Sequence, residues 1–298
     1  MSVACRGSAT PGLGQQTSRG GRPNRGIQPL VSTPEARPAV DASEFYDDMW
    51  DRYGHLDAAS PAAFHRRRLV IELCQRHASG ARQVLDAGCG RGELVQELRL
   101  GFPRATLCAT DVSLASVRET QRLNPELEVL QMDLSAPDFD ETYRPYLGRF
   151  ELITCSEVVE HIPDDRQAVE RVTRLLAPRG TLVLTVPGGK MSRFDELIGH
   201  QRHYSSHRLR ELARSANLEP LEVLAWGFPF QNLYRSVVRI ASRLSMPKPG
   251  AAPAEGSGPG IGGLLGAGYS LFGRALKPLF YLNRNYWGEQ MLLVARKR

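Results

Sequence analysis

Residues 84–93 read VLDAGCGRGE, and this segment gives the strongest indication of the fold. A short apolar run, typical of a buried strand, leads into Asp86 and then into Gly88, Gly90 and Gly92. Glycines allow a backbone to turn sharply and to approach a ligand closely. The next residues, ELVQELRL, have the pattern of a helix. A strand, a glycine-rich turn and a helix in this order predict a ligand-binding loop of an α/β protein.

Six further apolar runs continue this alternation along the chain. They lie at residues 105–111, 127–133, 150–157, 181–187, 218–226 and 289–297. Helical patterns separate most of them, including SLASVRETQRL, for which Ser113 is a suitable N-cap. Strands that alternate with helices form a mainly parallel sheet that is covered on both faces. We therefore predict an α/β fold with a doubly wound, mainly parallel seven-stranded sheet.

Composition and charge exclude several classes of protein. The 298 residues are 42% hydrophobic and 23% charged, which excludes wholesale disorder, and no apolar run is long enough for a membrane-spanning helix. Five cysteines without a C-x-x-C pair fit neither a disulfide framework nor a zinc ribbon, so we expect a cytoplasmic protein. The Arg-rich, Gly- and Pro-rich residues 1–42 predict a disordered basic leader.

Residues 227–288 separate the last two predicted strands. The stretch QNLYRSVVRIASRL predicts a helix that carries Arg235, Arg239 and Arg243 on one face, since they are four residues apart. With the apolar stretch near its end, this insertion is both basic and apolar. Two interpretations stay open: the helices lie on an anionic membrane surface, or they form a lid over a soluble pocket.

Acidic residues follow several of the predicted strands. A glycine-rich loop alone also fits a dinucleotide site, but Asp86 within it would repel a pyrophosphate and accept hydrogen bonds from an ammonium group. Asp111 ends the second strand, Asp133 ends the third, and CSEVVEHI ends the fourth. In this order, over roughly residues 43–226 and the final strand, they resemble the class I S-adenosylmethionine-dependent methyltransferases. SEVVEHIPDD resembles the ubiquinone-pathway O-methyltransferases in particular.

This resemblance implies a Rossmann-like methyltransferase domain over residues 43–298, with S-adenosyl-L-methionine as its cofactor. Asp86 would lie near the methionine amino group, and Gly88 and Gly90 would pass beneath the cofactor. Asp111 would bind the ribose. The remaining implied residues are Asp133 and Leu134 at the adenine edge and Ser156 on the methyl-transfer face. The alternative for each acid is a helix cap or a solvated loop end.

The acceptor side is less defined, because a sulfonium already carries an activated methyl group and a general base is optional. GHQRHYS, at residues 199–205, offers His200 or His203 as a base, since an imidazole titrates near neutral pH. Arg202 would hold an acidic group of the substrate. Structural packing of these histidines is the alternative.

Glu157, Glu160 and His161 form an E-x-x-E-H pattern after the fourth strand. Carboxylates and imidazoles together suit a divalent metal. The pattern is similar to that of the small-RNA 3′-end 2′-O-methyltransferases, where it binds metal. The alternative is that Glu160 and His161 are structural and cap the following helix.

These observations give one leading hypothesis and two alternatives. The leading hypothesis is a methyltransferase that acts on an oxygen of a small or lipid-linked metabolite, with or without peripheral membrane contact through residues 227–288. The first alternative is a metal-assisted RNA 2′-O-methyltransferase, against which stand an acidic central body and the lack of an aromatic stacking motif. The second is a non-catalytic module that keeps the fold for binding.

Overall fold

A computed structural model gives the architecture of most of the chain. The described residues are 42–245, 278–280, 282–283 and 287–298, and among them the side chains of residues 51–59, 238 and 241–245 are left aside. Nearly all of the predicted leader at residues 1–42 and most of the second half of the insertion at residues 227–288 lie outside this description.

The described residues form one seven-stranded sheet with the strand order β3-β2-β1-β4-β5-β7-β6. The strands are β1 (Gln83–Ala87), β2 (Thr106–Asp111), β3 (Glu128–Gln131), β4 (Phe150–Ser156), β5 (Leu176–Pro187), β6 (Leu218–Trp226) and β7 (Gln290–Lys297). Strands β1 to β5 are parallel, and β7 runs antiparallel between β5 and β6. The predicted doubly wound, mainly parallel α/β fold is confirmed. Its strand order reverses between β1 and β4, where such sheets bind their ligands.

Helices cover both faces of this sheet. They are α1 (Ala42–Ala59), α2 (Pro61–Ala78), α3 (Glu93–Gly101), α4 (Leu114–Leu123), α5 (Phe139–Thr142), α6 (Asp165–Leu175), α7 (Arg193–Leu197), α8 (Ser206–Ser215) and α9 (Phe230–Ser245). Short 3-10 turns occur at Arg144–Tyr146 and Val159–His161. None of the described helices combines the length and the apolar composition that a bilayer span requires.

The central strands are buried on both faces, because neighbouring residues of a strand point to opposite sides. Val84 and Leu85 of β1 are both fully buried but belong to different apolar clusters. Val84 shares its cluster with Leu98 of α3, and Leu85 shares the other with Val172 of α6. The same alternation recurs at residues 152–153, 182–183 and 293–294. Each such side chain contributes about 1.5–3 kcal/mol by its burial, which fixes the strand ends that carry the site.

Two elements differ from the expectation. Strand β5 begins at Leu176, five residues earlier than the predicted residue 181. Leu176 pairs with Phe150 across a register shift, and both are fully buried, so burial extends the ladder beyond the apolar run. Helix α7 was not predicted because it is too short to show periodicity. Its signal is a capping box, in which Ser192 and Asp195 bond to each other's backbone N–H groups.

Ser113 links the sheet to the first helix. Its Oγ accepts a hydrogen bond from the Ser116 backbone N–H at 3.0 Å, which confirms the predicted N-cap of α4. The same hydroxyl donates to Oδ1 of Asp47 in α1 at 2.5 Å, and the Ala115 N–H donates to that oxygen at 3.2 Å. The cap of α4 therefore also holds α1 over the carboxyl ends of the strands.

We expect Ser113→Ala to lower the free energy of unfolding by about 2 kcal/mol, because it removes a cap and a charge-assisted hydrogen bond. Ser205→Ala is the matched control, since Ser205 caps α8 without a carboxylate partner on α1, and should cost about 1 kcal/mol. Urea unfolding of both variants measures the difference. Equal losses would show that the Asp47 contact does not hold α1.

Candidate active site

A cavity of about 460 Å³ lies at the carboxyl ends of the strands, beneath α1 and beside α9. All the residues implied for the cofactor line it. They are Asp86, Gly88, Gly90, Asp111, Asp133, Leu134 and Ser156. Cavities of this size are typical of small-molecule sites, and this one continues past the strand ends to residues of α7 and α9.

The glycine-rich loop requires glycine at two positions for reasons of space. Gly88 and Gly90 have φ angles of 78° and 53°, in the left-handed region. A Cβ on Gly88 would overlap Val158, and a Cβ on Gly90 would lie 2.8 Å from the indole of Trp50 in α1. The loop therefore packs closely between the segment after β4 and α1, and its backbone forms the floor of the cavity.

Asp86 is a buried carboxyl group with one free oxygen. Its Oδ1 accepts a hydrogen bond from Thr154 Oγ1 at 2.7 Å, and its Oδ2 has no partner among the described residues. Burial raises the pKa of Asp86 to about 7, although the Thr154 hydroxyl opposes the shift. A cationic group in the cavity would restore the ionised form, which suits an ammonium group.

Asp111 joins the loop to the start of α4. Its Oδ2 accepts from the Gly90 N–H at 2.8 Å, and its Oδ1 accepts from the Ser113 N–H at 2.9 Å. Burial raises the pKa of Asp111 to about 6 against these two hydrogen bonds. Each oxygen keeps a lone pair for a further donor. Neither Asp86 nor Asp111 is a helix cap or a solvated loop end, since both are buried and the caps of α3 and α4 are Gly92 and Ser113.

Two residues that the sequence analysis missed fix the loop after β3. The Asp133 backbone N–H donates to Tyr143 Oη at 3.1 Å, and Arg171 Nη1 donates to the Leu134 carbonyl at 2.5 Å. Arg171 is buried and stacks on Phe139, 5.3 Å from its ring centre. Nothing in the local pattern singles out Tyr143 or Arg171, because both reach the loop from other elements.

The end of β4 is a strained turn. Glu157 has a φ of 58°, which is uncommon for a residue with a side chain. Thr185 Oγ1 donates to its Oε1 at 3.0 Å, and Arg66 Nη1 lies 3.6 Å from its Oε2. Ser156 Oγ lies 2.9 Å from Thr185 Oγ1, and because Thr185 gives its single hydroxyl proton to Glu157, Ser156 donates in this pair. Such outliers cluster at functional sites, and Ser156 and Glu157 both line the cavity.

Glu160, His161 and His200 converge beside this turn, with one donor atom of each within 4.8 Å of the others. Glu160 is fully buried, and both its carboxyl oxygens and His161 Nδ1 have no partner among the described residues. Burial and the nearby Glu157 raise the pKa of Glu160 well above its usual value, and burial lowers the pKa of His161 to about 4. Asp164 caps α6, so Glu160 and His161 do not fill that role.

The three residues expected on the acceptor side have different surroundings. His200 lines the cavity, but burial and the neighbouring His161 lower its pKa to about 2, which opposes the expected role as a proton-accepting base. His203 is among the described residues that do not line the cavity, and burial lowers its pKa too. Arg202 donates to the carbonyls of Ile162 and Pro163 and lies outside the cavity lining, so the structure does not support its expected substrate contact.

Helix α9 turns Arg235 and Arg239 toward the cavity, which the sequence pattern did not predict. Arg235 Nη2 lies 3.4 Å from Asp195 Oδ2, and Arg239 Nη1 donates to Glu289 Oε2 at 2.7 Å. Both arginines line the cavity. Among the side chains of α9 that the structure describes, the exposed ones are apolar, namely Leu233, Val237 and Ile240, with 60%, 47% and 59% of their surface exposed.

Comparisons with known proteins agree with this geometry. The model of a methyltransferase domain family matches residues 62–223, more than half of the chain. A ubiquinone biosynthesis O-methyltransferase of Xanthomonas oryzae pv. oryzae (strain PXO99A) is 30% identical over 201 residues, which cover 62% of this chain and 80% of that protein.

Solved structures share the fold at low sequence identity. A putative sarcosine dimethylglycine methyltransferase from Galdieria sulphuraria has a TM-score of 0.53 and 17% identity, over 79% of this chain and 86% of that one. A Haemonchus contortus phosphoethanolamine N-methyltransferase 2 in complex with S-adenosyl-L-methionine has a TM-score of 0.52 and 16% identity, over 85% of this chain and 60% of that one. The chain is thus an enzyme rather than a non-catalytic module, and it belongs to the class I S-adenosylmethionine-dependent methyltransferases.

Proposed function

We propose that this methyltransferase methylates an oxygen atom of a small or lipid-linked metabolite in the cytoplasm. The observation that carries the proposal is a single cavity that joins the buried acids of β1 and β2 to the wall formed by α7 and α9. The name of the Xanthomonas relative supports oxygen as the acceptor atom and an isoprenoid-linked metabolite as the substrate class.

The residues of the chain fit the cofactor in three places. Oδ2 of Asp86 would accept from the methionine ammonium group, and both oxygens of Asp111 would accept from the ribose hydroxyls. The Asp133–Leu134 segment, held by Tyr143 and Arg171, would bind the adenine edge. When bound, the cofactor supplies an activated methyl group on a positively charged sulfur. The protein must then align the acceptor and exclude water.

The acceptor would occupy the other half of the cavity. Ser156 and Glu157 also line the cavity, and Tyr234 and Phe194 give the wall formed by α7 and α9 an aromatic character. The low pKa of His200 makes this imidazole a hydrogen-bond acceptor that positions a hydroxyl group, rather than a base that takes its proton. Alignment with the sulfonium would then contribute more to the rate than proton transfer.

The metal-assisted alternative, methyl transfer to an RNA 2′-hydroxyl, has one observation in its favour. Glu160, His161 and His200 offer oxygen and nitrogen donors to a divalent cation, and the buried oxygens of Glu160 lack partners among the described residues. These residues fit such an ion, which would polarise the acceptor hydroxyl. Glu157 fits less well, because its two carboxylate oxygens already contact Thr185 and Arg66. Methyl transfer that survives chelation would contradict this alternative.

We further propose a peripheral contact with lipid through α9. The expectation from sequence assigned this contact to the basic and apolar helices of the insertion. In the structure Arg235 and Arg239 line the cavity, and the exposed side chains that are described on α9 are apolar. An apolar face beside the acceptor wall would let a lipid-linked substrate enter from a membrane surface. Affinity would then follow buried apolar area more than anionic lipid content.

Asp111→Asn should weaken S-adenosylmethionine binding by about 10- to 100-fold, because hydrogen bonds to a charged group contribute about 1.5–3 kcal/mol. Calorimetry on the purified protein measures the affinity. The control is Asp140→Asn, an exposed acid that pairs with Arg174 and does not line the cavity. Unchanged affinity in Asp111→Asn would remove Asp111 from the cofactor site.

The affinity for S-adenosylmethionine should rise roughly tenfold between about pH 5.5 and pH 7, since linkage favours binding as Asp86 loses its proton. The pKa of Asp86 is raised to about 7, so the ionised form that attracts an ammonium group grows as pH rises toward that value. Calorimetry at several pH values tests this, with Asp86→Asn expected to reduce the slope. A slope that Asp86→Asn leaves intact would assign the pH dependence to another group.

The lipid contact is tested by flotation with neutral and anionic vesicles. The double variant Leu233→Ser/Ile240→Ser should bind both kinds of vesicle several-fold less than the wild type does, since it removes two of the three exposed apolar side chains that are described on α9. Leu100→Ser is the matched control, because Leu100 is 84% exposed on α3. Equal flotation of the double variant and the wild type would contradict the proposal.

A further inference from the structure

A second set of metal-binding side chains lies beside the cavity, apart from the E-x-x-E-H pattern. Asp195, His200 and His203, here called the DHH cluster, bring one donor atom each within 4.8 Å of the others. His200 Nδ1 lies 3.3 Å from His203 Nε2, and the two nitrogens lie 4.0 Å and 3.7 Å from oxygens of Asp195. The side chains of His200, His203 and Asp195 are only 7%, 4% and 13% exposed, respectively.

The tautomer of His203 is fixed by a backbone carbonyl. His203 Nδ1 lies 3.3 Å from the Gly189 oxygen, which can only accept, so Nδ1 carries the proton and Nε2 presents its lone pair to the cluster. Histidines that bind metals commonly donate their other N–H group to a carbonyl in this way. In the tautomer of His200 that carries its proton on Nε2, Nδ1 also presents a lone pair, 3.3 Å from that of His203 Nε2.

The Asp195 carboxylate is held in place by contacts to one of its two oxygens. The backbone N–H and the hydroxyl of Ser192 both donate to Asp195 Oδ2, at 2.6 Å and 2.8 Å. Arg235 also approaches Oδ2, at 3.4 Å, and Glu289 lies 3.8 Å from the same guanidinium and offsets part of its charge. These contacts hold Oδ2 and leave Oδ1, the oxygen nearest to His200, for a cation.

The spacing of the donors suits a small cation. Metal–ligand bonds of about 2.0–2.1 Å in tetrahedral geometry place the ligand atoms about 3.3 Å apart. The two nitrogens are already 3.3 Å apart, and the 4.0 Å between His200 Nδ1 and Asp195 Oδ1 needs to contract by about 0.7 Å. Asp195 and His200 line the cavity, so a cation and a fourth ligand can reach the cluster from there.

We propose that the DHH cluster binds a divalent transition-metal cation through one carboxylate and two imidazoles, a donor set that suits zinc or iron(II). A neutral imidazole has one unprotonated nitrogen. His200 can therefore bind a metal in this cluster or with the Glu160–His161 pair, but not in both at once. The hydrogen bonds that hold His203 and Asp195 in place favour the DHH cluster. Metal binding by this cluster is inferred from these contacts and does not depend on the identity of the methyl acceptor.

The test is titration of the untagged, chelator-treated full-length protein with Co²⁺, followed by its visible absorption, and with Zn²⁺ by calorimetry. We expect one equivalent of metal per chain. His203→Asn and the milder Asp195→Asn, which keeps an oxygen near Ser192, should each raise the dissociation constant at least about tenfold, since even loss of an outer-shell partner has such an effect.

Two controls separate this site from its neighbours. His207→Asn changes an exposed histidine of α8 and should bind as the wild type does, as should Glu160→Gln. Circular dichroism and S-adenosylmethionine affinity verify that each variant is folded. The proposal is overturned by a wild type that binds no metal, by a loss of binding confined to Glu160→Gln, or by binding that survives both His203→Asn and Asp195→Asn.

Discussion

The site depends on keeping two carboxyl groups out of water at the point where the strand order reverses. Asp86 and Asp111 are buried at the ends of β1 and β2, and this desolvation raises the pKa of both carboxyl groups. The apolar clusters on both faces of the sheet stabilise this arrangement, because they fix the strand ends from which the two acids project. A cationic group and hydroxyl donors would supply the stabilisation that burial removes, so a ligand that carries both complements this crevice.

Much of this half of the molecule could be predicted from sequence, because its signals are local. Asp86, Gly88 and Gly90 belong to one short stretch, and the strands before Asp111 and Asp133 are plain apolar runs. The predicted bounds of β6 agree with the structure. The local pattern gave the wrong first residue for β5, because this strand starts where it pairs with the buried Phe150 of a distant segment.

The acceptor half could not be predicted to the same degree, because its contacts join segments far apart in sequence. Asp195 meets Arg235 across 40 residues, and Arg239 meets Glu289 across 50. Periodicity alone predicts that the basic face of α9 points to solvent. These ion pairs instead turn Arg235 and Arg239 toward the cavity. Arg202 also contacts a distant segment: it lies between His200 and His203 in the sequence, and it donates to the main-chain carbonyls of Ile162 and Pro163.

The packing of Trp50 on Gly90 has a practical consequence. The chain has three tryptophans, of which Trp226 is buried against His65 and Trp287 is largely solvated. Only Trp50 adjoins the glycine loop, and it also lines the cavity. The intrinsic fluorescence of its indole should therefore change in wavelength and intensity when a nucleoside binds or leaves, without any label attached to the enzyme.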